Sequence, residues 1–335
     1  MLYPINYTPA ETYSQPTGVV TKKFVGAYHV DTGENMIVCS ISSRLRKHLI
    51  YPIADASSVP HQRVQEVKDI KTVDPVAIGD VILYKPAEAG KGVITDILPR
   101  KTKLSRPAAG KKPLEQVVVA NLDQVVAVFA ATRPKPHWNL LDRYLVSAES
   151  AELDPLVCIT KMDTADEDEV AEVTSLYRAL GYRVILTSSA NGRGLEELRA
   201  ELSGKLSAFV GKSGVGKTSL LNALQPGLGA KVSAVGTGEF GKGTHTTTHM
   251  EMFPLDGGAV VDTPGIRMFG LWEVDGSDIA LYFREMEPLV GACRFGSDCT
   301  HDHEPGCAIR AAVETGTIAR RRYDSYLRML NGESD

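Results

Sequence analysis

Gly211-Lys212-Ser213-Gly214-Val215-Gly216-Lys217-Thr218 fits the phosphate-loop pattern G-x-x-x-x-G-K-[ST]. It follows the apolar run LSAFV and leads into SLLNAL, so the spacing predicts the strand, loop and helix that the pattern requires. Glycines let the backbone curl until successive N–H groups face phosphate oxygens, and a helix N-terminus adds partial positive charge. Lys217 is placed to reach the β and γ phosphates, and the Thr218 hydroxyl to ligate Mg²⁺. Ser219, the next residue, is counted with the nucleotide-binding set. An accidental glycine-rich turn is the alternative, and the flanking strand and helix argue against it. The loop specifies a nucleoside triphosphate without specifying its base.

The base is addressed by Thr160-Lys161-Met162-Asp163, at the end of the strand-like run PLVCIT, which matches [NT]-K-x-D. Guanine offers N1–H and N2–H as paired donors, so a fixed carboxylate accepts two hydrogen bonds from it and none from adenine. Lys161 would lay its stem along the base. The run RVILTSS ends in Ser189-Ala190, matching [SC]-A, whose backbone N–H meets the guanine O6. Asp163 alone could be a helix cap; two matches at the ends of successive strands make guanine the expected base.

Asp262-Thr263-Pro264-Gly265 ends the run GAVVDT and fits D-x-x-G. Asp262 would hold Mg²⁺ through water, and the Gly265 N–H would contact the γ-phosphate. Between it and the phosphate loop lies Gly241-Lys242-Gly243-Thr244-His245-Thr246-Thr247-Thr248-His249, the expected site of a switch whose threonine completes the Mg²⁺ shell. Thr247 is assigned that role, with Thr246 as the alternative. Ile266 occupies the place where many GTPases carry a water-orienting glutamine, and isoleucine has no hydrogen-bonding group. His245 is the nearest substitute in sequence; an exposed loop histidine without a role is the other reading. The catalytic set is therefore His245, Thr247, Asp262 and Gly265.

Cys293, Cys299, His301 and Cys307 place three thiols and an imidazole within fifteen positions. Soft sulfur and nitrogen in a set of four suit tetrahedral Zn²⁺, one ion per chain, with no position left open for catalysis. His303 is the alternative fourth ligand. Cys39 and Cys158 stand alone in apolar runs, a usage that fits a reducing cytoplasm better than a disulfide framework.

The elements that must position these groups change character along the 335 residues. The first 17 read as a polar tail without a secretory signal. Residues 18–112 read as short strands (GVVTKKFVGAYHV, NMIVCSIS, GDVILYK, GVITDILPR), interrupted by a polar stretch over Tyr51–Val73, and predict a small barrel of OB type. This segment holds 16 Lys and Arg against 9 Asp and Glu, an excess of seven positive charges in a chain of net charge −4. A basic module on an acidic body is a form that suits an RNA-binding enzyme; a solvated basic face is the alternative. Residues 113–275 alternate apolar strands (DQVVAVFAA, PLVCIT, RVILTSS, LSAFV, GAVVDT) with helical runs (WNLLDRYLVSAES, EDEVAEVTSLYRAL, LEELRAEL), predicting a doubly wound α/β domain. Residues 276–335 carry the Cys/His cluster between helical segments and no strand pattern. No apolar run approaches the roughly 18 residues of a membrane span.

The motif order, base-reading elements first and phosphate loop later, is a cyclic shift of the ordinary GTPase order. With it, the runs ILPRKTKLSRP, NLDQVVAVFAA, ITKMD, GKSGVGKTSLLNAL, GTHTTTH, DTPGIRMFGL and CTHDHEPGCAI resemble the circularly permuted, ribosome-small-subunit-dependent GTPase family called RsgA or YjeQ. The resemblance implies an OB-fold that binds ribosomal RNA, a permuted P-loop GTPase domain and a helical zinc-binding domain. It implies a GTP-hydrolysing factor for late maturation of the small (30S) subunit, stimulated by that subunit; the chain is separately expected to be a cytoplasmic monomer. The chain departs from the family in having five residues between Cys293 and Cys299 where four are expected, and in the length of the Tyr51–Val73 stretch. Two other functions compete: an RNA-binding module that uses GTP only as a clamp, which Ile266 favours, and a P-loop ATPase or kinase, which Asp163 disfavours.

Overall fold

Alternation of apolar and polar residues shapes the first five strands. The structure, a computed structural model, describes residues 13–24, 26–46, 75–88, 90–107, 115–228, 250–255, 257–262 and 274–333. Strands β1 (Thr17–Phe24), β2 (Ala27–Asp31), β3 (Met36–Ile41), β4 (Val81–Pro86) and β5 (Lys91–Ile97) each turn one face inward. Val20, Tyr28, Val30, Cys39, Ile82 and Ile94 fill the interior. Strand β1 pairs antiparallel with β2, β2 with β3, β3 parallel with β5, β5 antiparallel with β4, and β4 returns to β1. The sheet therefore closes as an OB-type barrel of five strands. The run GVVTKKFVGAYHV is two strands, β1 and β2, and a one-turn helix α1 (Ser43–Arg46) follows β3. The Tyr51–Val73 stretch lies outside the described residues.

A hairpin of β6 (Lys103–Pro107) and β7 (Glu115–Ala120) follows, spanning the point where the sequence changes rhythm. It is fastened to the barrel by a bridge between Ile78 and Val119 and by Asn121, whose amide donates to the Gly79 carbonyl at 2.9 Å.

The second sheet is built on β8 (Gln124–Ala130), β9 (Asp154–Thr160), β10 (Arg183–Leu186), β11 (Leu206–Val210) and β13 (Gly258–Asp262), all parallel, with β12 (Met250–Leu255) antiparallel to β13. Its order is β10-β9-β8-β11-β13-β12. Every residue of β8 and β11 is buried, as expected for strands covered on both faces. Val125, Ala127 and Phe129 of β8 pack with Leu141 and Leu145 of α2 (Trp138–Ser150) and Tyr177 of α3 (Glu167–Ala179). The alternate residues Val126, Val128 and Ala130 pack with Leu198 of α4 (Leu195–Leu202) and Leu220 and Leu221 of α5 (Lys217–Leu224). From β8 the chain first moves out to β9 and β10, then returns to β11 on the other side. That reversal opens a crevice at the carboxyl ends of β8 and β11, where open α/β sheets bind ligands. Strand β12 lies in a stretch for which the sequence pattern gave no strand, and β12 also pairs antiparallel with β1, so the barrel and the α/β sheet are continuous.

Beyond Val274 the described residues hold no strand; three 3-10 turns lead to α6 (Ala308–Glu314) and α7 (Arg320–Leu330). Helix α7 is joined to α2 by a buried ion cluster. The Arg322 guanidinium donates to Asp142 Oδ1 at 2.7 Å and to both oxygens of Glu285, at 2.6 and 3.0 Å. Asp142 also accepts from Tyr177 and Ser325, at 2.6 and 2.5 Å, and the guanidinium lies 4.5 Å from the Phe283 ring centroid. Neither Arg322 nor Asp142 is exposed at all. Removing one member of such a cluster leaves an uncompensated buried charge, at a cost of about 3–5 kcal/mol. Arg322→Met is therefore expected to lower the unfolding free energy by that amount, read as a lower urea midpoint at unchanged m-value. Arg320→Met, which breaks the exposed pair with Asp324 and a contact over the Tyr323 ring, should change stability by about 1 kcal/mol or less. Equal midpoints for the two variants would contradict the cluster's role.

Candidate nucleotide site and metal cluster

The phosphate loop leaves β11 at Val210 and enters α5 at Lys217. Gly211 has φ +152°, and a Cβ there would sit 2.3 Å from the Val128 carbonyl oxygen, so backbone occupies the space a side chain needs. Gly216, at φ +101°, turns the chain into the helix. Lys217 Nζ donates to the carbonyls of Gly211 and Lys212 at 2.6 and 3.0 Å, spanning the loop from inside. Val215 is buried in the core, whereas Ser213, Gly214, Thr218 and Ser219 are exposed.

The base-reading loop leaves β9 at Thr160. The Thr160 hydroxyl lies between the carbonyls of Val215 and Phe129, and Lys161 Nζ donates to Gly214 at 2.8 Å and to Arg133. Lys161 holds φ +63°, a strained value for a long side chain, and these bonds fix it there. Asp163 is exposed, and its Oδ1 accepts from Ser188 Oγ at 2.6 Å. Ser188 is fully buried and accepts in turn from the N–H groups of Ala190 and Asn191 at 3.2 and 3.4 Å. The Met162 N–H meets the Thr187 carbonyl at 3.2 Å. The structure thus brings Thr160–Asp163, Ser188–Ala190 and Gly211–Ser219 together. Ser188 was absent from the sequence-derived set. Its signal is the doubled serine of TSSA, in which the first serine orients the carboxylate and the second begins the turn.

Asp262 ends β13, beside β11 in the sheet, and pairs across the ladder with Glu251. His245, Thr246, Thr247, Gly265 and Ile266 lie outside the described residues.

Cys293, Cys299, His301 and Cys307 are all buried, with their ligand atoms within 4.8 Å of one another. Cys293 Sγ is 3.8 Å from Cys307 Sγ, and His301 Nδ1 lies 3.4 and 3.5 Å from these two sulfurs. A tetrahedron with metal–sulfur about 2.3 Å and metal–nitrogen about 2.0 Å has S–S edges of about 3.8 Å and S–N edges of about 3.5 Å. The four side chains therefore fit tetrahedral Zn²⁺. A 3-10 turn over Gly296–Asp298 takes up the long spacing between the first two cysteines. Backbone N–H groups of Ala308 and Arg310 donate to Cys293 and Cys307, the kind of support a metal-bound thiolate needs. Without a metal, burial pushes the Cys299 thiol up to about 12 and the His301 imidazole below its ordinary value. His303 is 82 % exposed and outside the cluster. Burial likewise pushes Cys39 to about 11 and Cys158 to about 12, leaving both as inert core thiols.

The family model described as RsgA GTPase matches residues 97–272. A small ribosomal subunit biogenesis GTPase RsgA of Pseudomonas aeruginosa is 46 % identical over 256 residues, covering 75 % of this chain and 74 % of that one. The protein of the same name from Moorella thermoacetica is 39 % identical over 314 residues, covering 93 % and 96 %. Among solved structures, YjeQ from Thermotoga maritima aligns at TM-score 0.70 and 33 % identity over 95 % of this chain and 98 % of that one. YloQ, described as a circularly permuted GTPase, aligns at TM-score 0.68 and 28 % identity over 97 % of each. Barrel, permuted sheet and Cys/His cluster thus occur together along nearly the whole chain, which belongs to the RsgA GTPase family.

Proposed function

We propose that the chain hydrolyses GTP to GDP and phosphate while bound to the small (30S) ribosomal subunit and its rRNA, assisting late maturation of that subunit. The observation that carries this reading is the junction of two loops. A carboxylate that suits guanine, Asp163, is oriented by Ser188, and its neighbour Lys161 is bonded to the phosphate loop at Gly214. Base and phosphates of one nucleotide would thus be read by one rigid unit. The names of the relatives support the ribosomal partner.

In this reading Gly211–Gly216 supply N–H groups to the phosphates, and Lys217 exchanges its loop carbonyls for phosphate oxygens. Thr218 and Thr247 would ligate Mg²⁺, Asp262 would hold it through water, and Gly265 would contact the γ-phosphate; when bound, the ion would neutralise charge on the phosphates. Ile266 cannot orient water, so basal turnover is slow and His245 supplies that function when the subunit engages. The barrel, residues 18–112, binds rRNA; residues 113–275 form the GTPase unit and 276–335 a lobe closed around one structural Zn²⁺. The protein acts as a cytoplasmic monomer. Among the described residues no helix is long and apolar enough to cross a membrane.

Asp163→Asn is expected to weaken GDP binding on the order of 100-fold or more, because the paired acceptor for guanine is lost. Ser188→Ala, which frees that carboxylate and removes the acceptor of the Ala190 and Asn191 N–H groups, should cost about tenfold or more. Competition with GDP and ADP reads both, and unchanged GDP affinity in Asp163→Asn would remove the guanine assignment. A chain lacking residues 1–112 should keep slow GTP hydrolysis and lose its acceleration by small subunits. His245→Ala should keep salt-sensitive cosedimentation and lose stimulated turnover. Full stimulation in either variant refutes the role given to that part.

Metal analysis of purified protein is expected to give one zinc per chain, and Cys299→Ser to lower it. A strong chelator should unfold the 276–335 lobe first, since the energy of metal binding is there folding energy. Undiminished metal in the variant would exclude the four-ligand set.

A further inference from the structure

Strand β12 begins at Met250, directly after the threonine-rich loop, and Glu251 stands four residues beyond Thr247. Two residues at the start of this strand pair with the barrel: Met250 with Lys23 and Glu251 with Lys22. Across the Glu251–Lys22 register Lys22 Nζ lies 2.5 Å from Glu251 Oε2, with each side chain about one quarter exposed. A partly shielded pair is screened by salt less than a surface pair.

The same register continues around the barrel. Lys22 pairs with His29 of β2, His29 with Val38 of β3, and Val38 with Lys91 of β5. Paired residues share a face, and this row is the outer one, since the adjoining row of Tyr28, Cys39 and Gly92 is buried. Val38 is 42 % exposed and Met36, two residues earlier on the same face, 43 %. The Phe24 ring lies tilted beside His29, ring centroids 4.9 Å apart, and 5.2 Å from Lys22 Nζ. Apolar, aromatic and basic groups alternate here, the combination on which unpaired bases stack while cations meet phosphates. One ladder row thus runs from a surface fit for RNA to the residue that anchors the end of the threonine-rich loop.

We propose that the Lys22–Glu251 pair is a positioning contact that transmits occupancy of this barrel face to the threonine-rich loop, raising turnover of the bound nucleotide. The proposal rests on the reading of that loop as a switch and of the subunit as the partner. Glu251 is not among the residues assigned to nucleotide or RNA; it acts through the strand register at the start of β12, where it pairs with Lys22 on one side and Asp262 on the other. RNA seated on the Val38–Lys91 face restrains β1, and β1 then restrains β12. A coupling residue of this kind changes the response about 2-fold to 30-fold when altered.

The test measures GTP turnover by the full-length chain against small-subunit concentration, in wild type, Glu251→Gln, Glu251→Lys and the exchange Lys22→Glu/Glu251→Lys. The single variants are expected to keep basal turnover and the half-saturating subunit concentration, and to lose 2-fold to 30-fold in the rate at saturation. The exchange should restore that saturated rate, whatever the altered barrel charge does to half-saturation. A role in docking alone would move half-saturation and leave the saturated rate intact, which overturns the proposal, as does an exchange that restores nothing. Should Glu251→Lys fail to fold, full stimulated rate in the isosteric Glu251→Gln overturns it equally. Wild-type turnover that subunits do not raise counts instead against the proposed function itself.

Discussion

Two side chains at the end of β9 fix the relation between the halves of the nucleotide site. Strands β9 and β11 are not neighbours; β8 lies between them. In the permuted order the base-reading loop also comes before the phosphate loop, with 50 residues separating Lys161 from Gly211. Chain connectivity therefore cannot hold the loops in register. Thr160 and Lys161 do so by binding the carbonyls of Val215 and Gly214. This has a second consequence. With several loop carbonyls engaged from the protein side, the backbone N–H groups are left for an anion, which is the polarity a phosphate site requires. The remaining geometry follows: Gly211 must lack a side chain because Val128 is in contact, and Ser188 must reach Asp163 because the base would otherwise meet a free rotor.

Placement of the C-terminal lobe depends on a different physics. Arg322 and Asp142 carry charge into a fully buried setting, and Glu285 meets them at its edge. Burial alone would lower the Arg322 pKa, but the Asp142 and Glu285 carboxylates outweigh it and hold the group well above its ordinary value. A hydrophobic replacement of the whole cluster could equal its stability, so its value lies in geometry: only one docking of α7 on α2 satisfies all the donors and acceptors. Arg284 reinforces that docking by pairing with Glu149 at 2.7 Å and lying 4.0 Å over the Tyr182 ring. The Cys/His cluster does the same work inside the lobe, where short 3-10 turns leave few regular hydrogen bonds.

Legibility in the sequence followed the physical range of the signal. Strand β11 is read in full from a mostly apolar run of five residues, and α2 and α4 from helical spacing, because burial on a sheet imposes those patterns locally. The phosphate loop and the cysteine spacing were legible because each chemistry confines its residues to a short stretch. What escaped depends on distant partners. The run MEMFPL becomes β12 only because β13 and β1 flank it, and its Pro254 argues against a strand when read alone. Hairpin β6–β7 was hidden because KLSRP shows little apolar alternation. Arg322 stands among three consecutive arginines, and its partners Glu285 and Asp142, the latter 180 positions away, distinguish it. Ser188 was passed over for Ser189 because the motif names the turn residue, not the one that holds the carboxylate.

The charge count on the barrel shows the same limit in its energetic form. Residues 18–112 carry an excess of seven positive charges, which by composition points to RNA. Two of those charges are matched by acids outside the segment: Lys22 by Glu251 and Lys103 by Glu115. Arg100 is held by the buried Asp80 at 2.7 Å. These cations join elements of the fold, and releasing them to phosphates would strand Asp80 or loosen the barrel from β12. Among the described residues, attraction for a polyanion falls to exposed cations such as Arg46, Lys85 and Lys91. Fewer cations then contribute to counterion release, so the salt dependence of RNA binding should be shallower than the raw charge implies. The barrel is basic for two reasons at once, and only part of that charge faces outward.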